Sequence, residues 1–186
     1  MRLFLAVFPP PAVREATHAA AGPLRRAGDG VSWVSPGNLH YTMRFLGEVG
    51  EDGARRAGEA AVEAAASVPA FECALGGLGA FPNPGRARVI WVGMSAGAES
   101  LVALATALDR TLARRGFAPP DRPFSPHLTL GRVREPRADW SRALGGAPAL
   151  AGPLACFTVD RLSVVESTLS PGGSIYHVRA EARLQG

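Results

Sequence analysis

One short pattern, His-x-Thr followed by an apolar residue, occurs twice. It reads His40-Tyr41-Thr42-Met43 and, about half the chain later, His127-Leu128-Thr129-Leu130. Each copy lies in a short run of strand-like composition with a proline just upstream, Pro36 and Pro126. Side chains alternate between the two faces of a strand, so a histidine and a threonine two apart share a face. Each copy thus presents one imidazole and one hydroxyl side by side. If the copies face each other, the chain has a cleft lined by two histidines and two threonines. Such a constellation suits in-line attack at phosphorus: one imidazole takes a proton from water and the other gives one to the leaving oxygen.

The rest of the chain supplies elements to hold two such strands. Arg2 to Phe8 reads as a buried strand, and Pro9-Pro10-Pro11 ends it and opens a helix with an apolar stripe at Val13, Ala16 and Ala20. Gly22-Pro23 breaks or kinks that helix. A second helix spans Asp52 to Val68. A third is marked by Leu101, Leu104, Ala105, Leu108 and Leu112, the spacing of an amphipathic helix, with Gly116 as its terminator. Between them, Phe71 to Leu75 and Leu78 to Phe81 read as strands around a Gly76-Gly77 turn, followed by a strand at Arg88 to Val92. A short helix is expected over 136–144, and closing strands at Phe157 to Leu162, Ser163 to Ser167 and Ile175 to Ala182. Helices alternating with short hairpins argue for an α+β fold. The expected architecture is two pseudo-symmetric lobes, each a small antiparallel sheet backed by helices, with a central cleft. No composition shift marks a linker, so residues 1–186 are expected to form a single bilobal domain.

Charge bears on the partner. All 20 basic residues are arginine, the formal net charge is +4 and the pI is about 10.0. Loss of lysine fits a GC-rich codon bias, yet an arginine-rich surface still favours anionic partners, because guanidinium pairs with phosphate bidentately. The two cysteines, Cys73 and Cys156, lie far apart in apolar runs and read as buried thiols in a reducing compartment. The apolar run Leu3 to Phe8 is too short for a membrane span or a signal-peptide core, which gives the expectation of a cytoplasmic protein with no membrane partner. Two histidines without a neighbouring carboxylate or thiolate make a poor zinc site, and the Gly-Gly pairs lack the lysine of a nucleotide-binding P-loop. No metal and no cofactor are therefore expected. His18 reads as a surface or rim histidine.

Ordered motifs over nearly the whole length resemble the two-histidine phosphoesterase superfamily, and most closely its RNA 2′,3′-cyclic phosphodiesterase (2′-5′ RNA ligase) family. They are Trp33-Val34-x-Pro36-x-Asn38-Leu39-His40-x-Thr42, Phe45-Leu46-Gly47-Glu48-Val49, Leu78-Gly79-Ala80-Phe81-Pro82 and Val89-Ile90-Trp91-Val92. They continue with Arg122-Pro123-Phe124-x-Pro126-His127-Leu128-Thr129-Leu130-x-Arg132 and Glu166-Ser167-x-Leu169-x-Pro171-Gly172-Gly173-x-x-Tyr176. Gly37 and Met43 depart from the family's frequent Glu and Leu.

The resemblance implies hydrolysis of 2′,3′-cyclic phosphate RNA termini to 2′-phosphomonoesters, metal-independent; by microscopic reversibility the same site could join RNA ends through a 2′-5′ linkage, and a monomer is expected. It implies His40 as general acid and His127 as general base, although the near-symmetry of the motifs leaves that order open in the sequence itself. It implies Thr42 and Thr129 as holders of the phosphate oxygens, Arg132 as the charge stabiliser and Phe45 as a platform for a base. Both Arg132 and Phe45 lie five residues after a histidine, a parity that faces away from it in a regular strand. Gly131 is expected to supply a bulge that re-aims Arg132; the first copy has Arg44 there instead. Arg44 shares parity with His40 and is a candidate for the substrate or the rim, Tyr176 for the border of the cleft, and His177 for a structural role. Two other functions fit the same features: a non-catalytic module that binds single-stranded RNA ends through arginines and Phe45, and a phosphodiesterase for another small cyclic phosphate.

Overall fold

The computed structural model describes residues 1–28, 30–134, 139–171 and 173–186. Its helices are α1 (Pro11–Ala20), α2 (Gly22–Ala27), α3 (Glu51–Ala65), α4 (Ala98–Arg114) and α5 (Ser141–Gly145). Its strands are β1 (Arg2–Val7), β2 (Val31–Trp33), β3 (Tyr41–Glu48), β4 (Phe71–Phe81), β5 (Val89–Ala96), β6 (Leu128–Val133), β7 (Ala155–Val159), β8 (Arg161–Ser170) and β9 (Gly173–Arg183). The strands join into one antiparallel sheet in the order β7-β4-β5-β6-β3-β1-β8-β9, with β2 also against β6.

The sheet has two halves that meet at β3 and β6. Their junction is a single pair, Tyr41 with Leu128. Beyond it β3 leaves, and β2 takes its place along β6 through Val31–Val133 and Trp33–Gly131. The first half, β3-β1-β8-β9, is backed by α3 and α4; α1 and α2 lie on the other half. The α+β fold with two similar lobes is as expected, but the two small sheets are continuous.

Burial follows the side-chain period. In β1, Leu3, Leu5 and Val7 point into the main core, and Phe4 and Ala6 into a second, smaller apolar cluster on the opposite face. A strand between two neighbours with both faces covered reads as an unbroken apolar run. On α4, Leu101, Leu104, Leu108 and Leu112 are buried against the core, each contributing about 2 kcal/mol. The alanine face of α3 lets α4 approach closely enough for Thr111 Oγ1 to donate to the Ala60 carbonyl at 3.0 Å.

Several expectations are corrected. Gly76-Gly77 is not a hairpin turn: β4 runs through it, and the irregularity is a bulge between Leu75 and Leu78 with Gly77 at φ +83°. The break expected at Gly22-Pro23 is present, with a separate α2 starting at Gly22 after α1 ends at Ala20. The buried position of α1 is Thr17 rather than Ala16, with the hydroxyl returned to the Val13 carbonyl at 2.7 Å. Cys73 is buried, and burial pushes its thiol up to about 12, whereas Cys156 on β7 is exposed. The helix expected over 136–144 falls partly outside the described residues; the helix observed there is α5.

Candidate active site

The junction pair decides which way the motifs face. Tyr41 and Leu128 are fully buried, so the residues on either side of each point to the opposite face. That face carries His40, Thr42, His127 and Thr129. Continuing the register one step each way sets His40 opposite Thr129 and Thr42 opposite His127. The Tyr41 hydroxyl lies in the core without a hydrogen-bond partner among the described residues, and burial raises its pKa. The tyrosine acts as a spacer under the cleft.

The two imidazoles are held alike. His40 Nδ1 lies 2.7 Å from the Asn38 carbonyl, and His127 Nδ1 lies 2.7 Å from the Ser125 carbonyl. A carbonyl only accepts, so Nδ1 carries the proton in both rings and, in the neutral form, each Nε2 holds a lone pair. His40 Nε2 accepts from the Thr42 hydroxyl at 2.9 Å. Asn38 is fixed in turn: its amide donates to the Ser174 carbonyl at 2.8 Å, tying the segment before His40 to β9.

Aromatic rings wall in each histidine. His40 has Phe4 at 5.0 Å, Phe8 at 5.4 Å and Tyr176 at 5.3 Å between ring centroids. His127 has Phe81 edge-on at 5.0 Å and Trp91 at 6.4 Å. Trp91 lies flat on Gly79, where any Cβ would come within 2.1 Å of the indole. This enclosure costs His40 its proton. Burial, with lesser repulsion from Arg132 and His127, lowers its pKa to about 4, against the opposing pull of the Asn38 carbonyl. In the unliganded protein His40 is neutral at pH 7.

Bulges resolve the parity of Phe45 and Arg132. Along β1 and β3 the pairing steps from Ala6–Thr42 to Leu5–Arg44, so Met43 is the extra residue. Along β5 and β6 it steps from Trp91–Thr129 to Ile90–Gly131, so Leu130 is the extra residue. In each copy the bulge falls three residues after the histidine and returns the fifth residue to the histidine face. Phe45 is half exposed, paired with Phe4 and capped by the Arg2 guanidinium at 5.2 Å. Arg132 is exposed. The bulge is therefore centred on Leu130, and Gly131 serves packing instead: a Cβ there would sit 2.6 Å from Val31 and 2.8 Å from Trp33.

The same bulge removes Arg44 from the cleft. Its guanidinium donates to Asp109 on α4 at 2.7 Å and to the Ala118 carbonyl. Tyr176 does border the site, and His177 next to it is exposed. His18 is half-buried on α1. Phe4, Phe8, Phe81 and Trp91 are site residues that the sequence reading does not single out. The signal available for Phe4 and Trp91 is an aromatic residue on a strand next to a motif strand; Phe81 lies one strand further out, on β4, and Phe8 just after β1. Among the described residues no three His, Cys, Asp or Glu side chains cluster as metal ligands, and no helix is long and apolar enough to cross a membrane.

Two His-x-Thr strands facing one cleft, each in its own half of a continuous antiparallel sheet, define a two-histidine phosphoesterase. The model of the family described as LigT like Phosphoesterase matches residues 7–91 and again 92–176, one match to each half, and the chain belongs to that family. It is similar to proteins named RNA 2′,3′-cyclic phosphodiesterase. The Methanothermobacter thermautotrophicus one is 34% identical over 95% of both chains, and the Thermotoga maritima one 31% identical over 100% of this chain and 97% of its own. Among solved structures, a Thermus thermophilus protein superposes with a TM-score of 0.83 at 31% identity, covering 100% of this chain and 99% of the other. Escherichia coli LigT complexed with 3′-AMP gives 0.78 at 26%, covering 100% and 98%.

Proposed function

We propose that this chain hydrolyses 2′,3′-cyclic phosphate ends of RNA to 2′-phosphomonoesters, with His40 and His127 as the acid and base. The observation that carries the reading is the matched pair of imidazoles, each with Nδ1 anchored to a carbonyl two residues back and Nε2 left for chemistry. The names borne by the relatives support the substrate.

The cyclic phosphate, a monoanion, binds between the imidazoles and Arg132. Its negative charge stabilises the His40 imidazolium against burial and the lesser repulsion from Arg132, and His40 takes up a proton with the substrate. His127 Nε2 accepts a proton from water as the oxygen attacks phosphorus. The bond from phosphorus to the 3′ oxygen breaks, and His40 protonates that oxygen as it leaves. Thr42 and Thr129 turn their hydroxyls to the non-bridging oxygens, and Arg132 stabilises the charge that builds there. Phe45 stacks on the terminal base. With a 5′-hydroxyl attacking phosphorus in place of water, the same steps form a 2′-5′ linkage, and run backwards they cleave it.

Both halves of the site come from one chain, and β1 and β8, from opposite ends of it, are neighbours in the sheet. The reading is accordingly of one bilobal domain working as a monomer in the cytoplasm, which sedimentation and fractionation test. The decisive experiment is product analysis of an oligonucleotide ending in a 2′,3′-cyclic phosphate, with and without chelator. A 2′-monoester formed equally in both arms is the expected result. An unchanged cyclic end, with the oligonucleotide bound, would leave an RNA-end binding module.

A further inference from the structure

Beside the His127 half of the cleft lies a groove of about 550 Å³ lined by Phe81, Pro82, Arg86, Arg88, Val89 and Arg122. Half of its lining is arginine, and none of it is acidic. This contrasts with the arginines of α3 and α4. Arg55 and Arg56 are paired with Asp52 and Glu59, and Arg114 and Arg115 with Glu63. Arg86, Arg88 and Arg122 are exposed and make no ion pair among the described residues. Guanidinium groups gathered without counter-charges repel one another, and an anion brought among them relieves that repulsion.

The groove is continuous with the site. Phe81 lines it and also stands edge-on to His127, one ring away from the reacting centre. Val89 lines it and pairs in the sheet with Arg132. Phe45 lies on the other half of the sheet, so an RNA end whose base sits on Phe45 has its remaining strand free to run toward this groove.

We propose that the Arg86–Arg88–Arg122 groove binds the phosphodiester backbone of the nucleotides preceding the cyclic end, so that the substrate class is the single-stranded oligonucleotide rather than the cyclic mononucleotide. Arginines carry the backbone charge, and Phe81 offers an apolar edge where the groove meets the cleft. This rests on the function proposed above, and deepens it.

The test compares the wild-type protein with an Arg86→Gln/Arg88→Gln variant, and separately with Arg122→Gln, on two substrates: a cyclic mononucleotide and a short oligonucleotide with a cyclic end. The expected result is a loss of roughly 10-fold in kcat/KM on the oligonucleotide, a salt dependence shallower by about one in log–log slope, and unchanged turnover of the mononucleotide. An equal loss on both substrates, or no loss on either, overturns the proposal. Fluorescence anisotropy of a labelled single-stranded oligonucleotide provides a readout independent of catalysis. If the wild type turns over neither substrate, the proposed reaction falls. Weaker oligonucleotide binding by the variants would still support the groove, and unchanged binding would overturn it.

Discussion

Met43 and Leu130 occupy equivalent places in the two halves: each is the extra residue of a bulge, three positions after its histidine. Both side chains are buried, so the bulge lets the strand keep an apolar residue in the core while the next exposed side chain returns to the cleft. This relationship turns Phe45 and Arg132 to the face that carries the two histidines.

Replacing His40 or His127 with Ala is expected to lower kcat by about 10²- to 10⁴-fold, the usual worth of an acid or base in the transition state. Neither ring anchors the main core, so thermal unfolding should stay cooperative. Full turnover by either variant would remove that histidine from the reaction.

His40 should titrate near 4 in the unliganded protein and higher when a 2′-phosphomonoester is bound, followed by the imidazole NMR signals. Its folded value is below the ordinary 6.5, so the unfolded chain holds more protons in between. Stability on this account is complete above about 6.5 and falls as pH drops toward 4, by on the order of 3 kcal/mol. A His40→Gln variant should lose that part of the pH dependence in chemical denaturation. A wild-type His40 titrating near 6.5 without ligand would contradict the effect of burial.

Phe45→Ala is expected to cost about 5- to 100-fold in kcat/KM, the range of one base–aromatic stack. Because the ring is half exposed, stability should change by less than about 0.5 kcal/mol. Unchanged kinetics on every base would return Phe45 to the role of a surface side chain.

Gly79→Ala tests the wall around His127. The added methyl cannot coexist with Trp91 where it lies, so the indole must move, at about 1–3 kcal/mol. Tryptophan fluorescence and kcat should both change. A variant matching the wild type in both would show that the Trp91 position is immaterial to the site.

Much of the site is legible in the sequence because one rule, the two-residue period of a strand, fixes the relation of each histidine to its threonine. The same rule fails at Phe45, Arg132 and Arg44, since a bulge adds one residue and reverses the parity beyond it. Neither Met43 nor Leu130 announces a bulge by composition; Gly131, the glycine beside the second one, is small because β2 presses against it. Gly76-Gly77 misleads for a related reason: glycine marks an irregular backbone, and whether the chain turns there or runs on is settled by the strands on either side, here β5 and β7. The resemblance supplies what spacing does not, namely roles for Phe45 and Arg132 and the nature of the substrate. The rings around the histidines come from β1, β4, β5, β9 and the segment after β1, and the sequence alone does not say which strands become neighbours.

The first strand lies between β3 and β8, and Tyr176 on the last strand closes the His40 wall. A fragment ending after Arg132 would own both motifs, both bulges and every proposed catalytic group. It would still leave β1 bare along one edge and His40 open to water, with its proton restored. The enclosure of His40 thus arrives with the final hairpin, long after the second imidazole has been added to the chain.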